Sequence, residues 1–83
     1  MAYDINEKRV NKILKTARKY LTWVQNSLLE GELTEAKFTK LKLEIEKTAV
    51  KKEDSVYWYV LKDKKWLDKQ IFGIEKENVD FII

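Results

Sequence analysis

The 83-residue chain contains neither histidine nor cysteine. Imidazole and thiolate are therefore absent as base, nucleophile or metal ligand, and disulfides are excluded. What remains is the chemistry of carboxylates, lysines, hydroxyls and any cation that oxygen ligands can hold. Mg2+ and Mn2+ are cations of that kind, because they stay largely hydrated and need only one or two protein carboxylates. Asp4 is the acid best placed for such work. Tyr3 and Ile5 on either side of it are strand-like, and a helical pattern starts after Asn6, so the carboxylate emerges where a strand ends. One carboxylate is a weak metal site, but a two-fold axis running near it would bring two together. An aspartate at such a junction also serves as a cap or turn residue, although Asn6 offers the helix another cap.

A second chemical signal is electrostatic. Lys8, Arg9, Lys12, Lys15, Arg18 and Lys19 fall in one helical segment, opposed there only by Glu7. The net charge of the whole chain is only +3, so the basic character belongs to one element. Such a face is either solvated or attracts a polyanion by neutralising phosphates and releasing counterions. Lys8, Arg9 and Lys12 are the candidate nucleic-acid contacts. The Tyr57-Trp58-Tyr59 run admits base stacking, but strand alternation would put these rings on both faces, which favours core or subunit packing. The basic-aromatic pattern of sheet-based RNA binders is missing.

Eighty-three residues make one small domain, 1–83, near the size where a single core is marginal. With no disulfide or thiolate metal site to staple it, a homodimer is the expected remedy. Aromatic residues at 12% of the chain argue for a folded protein. The sequence turns charged by Asp4 and has no apolar run of membrane-spanning length. A cytoplasmic protein with no membrane partner is expected.

The elements that must position these groups follow from periodicity. Residues 1–5 read as the end of a strand, and Asn6 as the N-cap of a helix with Glu7 suited to its dipole. Val10, Ile13, Leu14, Ala17 and Leu21 mark that helix's apolar face. Residues 23–33 read as one strand-like segment, with Gln25, Asn26 and Ser27 where a plain core strand would stay apolar. Thr34 caps a second helix, and Leu33 and Phe38 have the spacing of a hydrophobic staple. Phe38, Leu41, Ile45 and Ala49 continue its apolar face. Lys51-Lys52-Glu53-Asp54 reads as a charged loop, 55–61 as a strand, 62–65 as a polar turn, and 66–74 as a strand interrupted by a bulge at Gly73. An apolar tail closes the chain at 79–83. The order predicts an α+β, ferredoxin-like βαββαβ sandwich: an antiparallel sheet with two helices on one face. The other face would be bare in a monomer, and a second copy is the simplest cover.

Three blocks of the chain resemble a known family, the small CRISPR-associated adaptation protein that is the dimeric partner of the spacer integrase. They are Tyr3-Asp4-Ile5, the run from Trp23 to Gly31, and Glu53-Asp54-Ser55-Val56 with Ile71-Phe72-Gly73-Ile74 after it. The resemblance implies a ferredoxin-like homodimer in which the C-terminal strand of each protomer, here 74–83, reaches across to its partner. It implies a metal-dependent phosphodiesterase acting on single-stranded RNA or double-stranded DNA, with Asp4 of both chains on one Mg2+. It also implies a non-catalytic alternative, a DNA-binding bridge between integrase dimers in spacer acquisition. Arg9 and Lys12 match the family's basic positions loosely. The chain departs from the family at Trp23, where many members have arginine, and at Leu29, where many have phenylalanine. Only Met1 and Ala2 precede the Tyr-Asp pair, so a short first strand or a start upstream of Met1 is expected.

Overall fold

The computed structural model describes residues 1–63 and 66–74. The elements run β1 (Ala2–Asp4), α1 (Glu7–Ala17), β2 (Thr22–Gln25), β3 (Leu28–Glu30), α2 (Glu35–Glu46), β4 (Ser55–Asp63) and β5 (Trp66–Gly73). The strands form one antiparallel sheet in the order β2-β3-β1-β4-β5, with β1 at its centre. The α+β ferredoxin-like class expected from the sequence is the one observed. Its first strand is short, at three residues.

Both helix starts are set by local chemistry. The Asn6 side chain accepts from the Lys8 amide, and the Thr34 hydroxyl from the Lys37 amide, each satisfying a donor the helix leaves unpaired. Leu33 and Phe38 both pack on the core, as the staple spacing requires. α1 ends at Ala17, so Leu21 is buried from the turn beyond it, with its amide donating to the Ala17 carbonyl. Arg18 and Lys19 therefore lie past the helix rather than on it.

One element differs from the sequence reading. Residues 23–33 are not a single strand but a hairpin: Gln25 pairs with Leu28, leaving Asn26 and Ser27 as the connection. Asn26 has φ of 43°, a conformation asparagine tolerates better than most residues and tight hairpins demand. The polar residues at 25–27 are turn chemistry, not a strand with failed burial. The hairpin supplies the second and third strands of the βαββαβ order, and β5 is an addition on the far edge.

Partners in the ladders share a face. Tyr3, Val56 and Phe72 stand opposite one another, as do Ala2, Tyr57 and Ile71. The first set joins the core, where Ile13 and Ala17 of α1 and Leu41 and Ile45 of α2 are fully buried against Leu29 and Val56. Trp58 belongs to that core and meets the Phe38 ring edge-on, with centroids 5.4 Å apart. The second set looks away from both helices, and Leu61 on it is 68% exposed. Leu29 lies in the core, so the departure there concerns volume; Trp23, half exposed, donates its indole N–H to the Asn26 carbonyl.

Gly73 is not a bulge. The β4–β5 ladder runs without a break from Ser55–Gly73 to Leu61–Leu67, and its irregularity falls between Leu61 and Asp63. Lys62 and Asp63, expected in a turn, belong to β4. The expected C-terminal arm lies outside the described residues except for Ile74.

Candidate nucleic-acid and metal site

Asp4 is the last residue of the central strand, exposed, and opposite Ser55 across the β1–β4 ladder. Alternation puts it on the helix-free face with Ala2 and Tyr57. It stands two residues before the cap of α1, which explains why Asn6, and not Asp4, makes the capping bond.

The basic residues are not gathered around it. Lys8 is in the first turn of α1 and Lys12 in the next, both exposed, while Lys15 closes the helix. Eleven residues span about 16 Å, so the charge runs away from Asp4 along the opposite side of the sheet. The structure thus brings Lys8 near Asp4 along the chain and leaves Lys12 farther off.

Arg9 is differently occupied. Its Nε donates to Asp54 Oδ2 at 2.7 Å and its Nη2 to Asp54 Oδ1 at 2.9 Å, with a further contact to Glu53 Oε1 at 3.3 Å. The two parallel bonds are the fork-to-carboxylate geometry that makes arginine pairs strong. Asp54 is fully buried. It also accepts from the Asn6 amide at 2.9 Å and the Val50 amide at 2.7 Å. The Arg9 hydrogen bonds hold the carboxyl down at about 2, against the opposing effect of burial, and the two amides add to the lowering. Arg9 is pushed up correspondingly, chiefly by its bond to Asp54. Asp54 was invisible as a site residue because a run of four charged residues reads as a solvated loop. The available signal was its position immediately before the strongest strand of the chain.

No group of three or more metal-ligating side chains converges among the described residues. Among the described residues, a concavity of about 460 Å3 is lined by α2 with β5, and one of about 300 Å3 by the turns that follow α1 and β3 and the start of α2; Asp4 lines neither and is itself exposed. Any site at Asp4 is therefore an open surface, suited to a polymer and not to an enclosed small molecule. No described helix is long and apolar enough to cross a membrane.

An antiparallel sheet with two helices on one face, and an acid at the end of its central strand on the other, defines a small ferredoxin-like α+β protein. The chain belongs to the family described as CRISPR associated protein Cas2, whose model matches residues 1–69. Relatives named CRISPR-associated endoribonuclease Cas2 include those of Dictyoglomus turgidum, 54% identical over all of this chain and 95% of its own length, and Thermotoga maritima, 56% identical over 99% of this chain and 94% of its own. One from Thermodesulfovibrio yellowstonii, named CRISPR-associated endoribonuclease Cas2 3, is 53% identical over 93% of this chain and 88% of its own.

Proposed function

We propose that this chain is a CRISPR-associated endonuclease that cleaves phosphodiester bonds, single-stranded RNA first among its substrates, as a homodimer with Asp4 at its centre. The observation behind this reading is the placement of Asp4. It sits on the exposed, helix-free face of the sheet, where a second copy packed face to face would bring a second Asp4 alongside. The carboxylate also fits Mg2+ or Mn2+, since a hydrated cation needs only one or two protein oxygens and an exposed strand end leaves room for its waters. Asp4 from each copy would hold it. Bound there, the metal supplies Lewis-acid polarisation of the phosphate and a more acidic water. The protein's own part is to hold two carboxylates at a fixed separation and to let a flexible strand lie across an open surface. Lys8 and Lys12, on the helix side of the sheet, add only long-range attraction for phosphate, without base specificity.

The second reading is a DNA-binding scaffold that bridges integrase dimers during spacer acquisition. It is favoured by the exposed Lys8, Lys12 and Lys15 on α1, which lie away from the Asp4 face and so offer a second, non-catalytic surface. Asp4→Asn separates the two when assayed both for Mg2+-dependent RNA cleavage and for spacer acquisition with the integrase. Loss of cleavage with acquisition intact makes the scaffold the physiological role. Cleavage at the wild-type rate rejects the Asp4 site.

A further inference from the structure

Asp54 is the one charged residue among the described residues that is fully buried, and its carboxylate accepts four hydrogen bonds. Two come from Arg9, one from the Asn6 amide and one from the Val50 amide. Three segments therefore meet on one side chain: the β1–α1 junction, the first turn of α1 and the loop after α2. The backbone of the same residue adds a fourth, because its carbonyl accepts from the Ile74 amide at 3.3 Å. Asp4 lies between two of these restraints. Asn6 is two residues after it, and its ladder partner Ser55 directly follows Asp54.

A buried ion pair is a poor source of net stability, since apolar side chains of similar volume often serve as well. What such a network supplies is a fixed position. β1 is only three residues long and has few ladder bonds of its own to hold its end. From this geometry we propose that Asp54 is the positioning residue for Asp4, and that Arg9 acts by holding Asp54 and not by contacting phosphate. The inference rests on the reading of Asp4 as the cleavage-site acid. It assigns Arg9 a role that charge alone cannot fill, because a lysine cannot reproduce the two-pronged fork.

The test compares wild-type protein with Asp54→Asn, Arg9→Lys and Asp4→Asn on a single-stranded RNA oligonucleotide in excess Mg2+. Amide hydrogen exchange is followed in the same proteins without RNA or metal. Asp54→Asn and Arg9→Lys are expected to lower kcat by at least about 10-fold through misplacement of the acid, with KM held within about three-fold. The Asn6 amide should exchange faster in both, while core amides of α2 remain protected. An inactive Asp4→Asn beside a wild-type kcat in Asp54→Asn overturns the inference and leaves the Asp4 reading standing. Full activity in Asp4→Asn rejects that reading and the inference with it. A raised KM with unchanged kcat in Arg9→Lys puts Arg9 on the phosphate and also overturns it, as does unchanged Asn6 exchange. If Asp54→Asn fails to fold, Arg9→Lys decides the matter alone, because it keeps the buried carboxylate and removes only the fork that fixes it.

Discussion

Gly73 passes so close over the carbonyl of Asp54 that a Cβ on it would lie 1.9 Å from the oxygen. Its φ of +87° is a second reason that no other residue fits easily. The next residue, Ile74, is then fastened from two sides: the Ser55 and Tyr57 hydroxyls both donate to its carbonyl. The end of β5 is thus tied to the start of β4 at the point where Asp4 is also held. Gly73→Ala must move the Asp54 backbone or the end of β5. It is expected to cost at least about 1 kcal/mol, read as a lower denaturation midpoint with an unchanged slope.

Asp54 gives the fold an acid sensitivity of known sign. Its folded-state pKa, about 2, lies below the ordinary 3.8, chiefly because of the Arg9 hydrogen bonds. A depressed carboxylate contributes stability that is complete above the unfolded value and disappears as pH falls through the folded one. Stability should therefore decline between about pH 4 and about pH 2 in wild-type protein, and less steeply in Asp54→Asn. Denaturant melts across that range measure the slope. At neutral pH, Asp54→Ala leaves the Asn6 and Val50 amides and the Arg9 fork without their acceptor, at a cost of about 2–3 kcal/mol.

Lys8 and Lys12 are exposed on α1, and if they meet phosphates their contribution is charge. Each substitution to alanine should weaken nucleic-acid binding similarly for all sequences and reduce the slope of log affinity against log salt by about 1. Binding titrations at several salt concentrations give that slope. An unchanged slope in both variants would mean a solvated face.

Much of this arrangement is legible in the sequence, and the exceptions have physical causes. Asn6 and Thr34 were recognisable as caps because a short polar side chain before an amphipathic run has one dominant use. Trp58 and Val56 were recognisable as strand residues from period-two alternation, and Trp58 proved to be core. The hairpin was missed because Asn26 and Ser27 sit between two strands of only four and three residues, too short for either to show its own period. The pairing of Arg9 with Asp54 was not legible for a different reason. The two are 45 residues apart, each lies within a charged run, and only the tertiary fold reveals that one of the two acids beside Lys52 is buried. Gly73 pointed to a special backbone, but the neighbour responsible, the Asp54 carbonyl, is also remote in sequence.

The helix-free face carries the final prediction. Tyr57, Tyr59, Leu61 and Ile71 share it by ladder alternation, and no described helix covers them. Leu61 is 68% and Ile71 36% exposed, so a monomer would leave apolar side chains in water on the face that carries Asp4. In the proposed homodimer these residues lie at or near the subunit contact, and a carboxylate in place of Leu61 would carry an unpaired charge out of water into an apolar contact. Leu61→Glu is therefore expected to shift the protein toward monomer, by light scattering after size exclusion, while leaving the far-UV circular dichroism unchanged. Because the proposed site needs Asp4 from both copies, the same variant should lose cleavage in proportion to dimer and recover it as concentration rises. Full cleavage by a monomer would show that one Asp4 suffices and that the paired-carboxylate site is wrong.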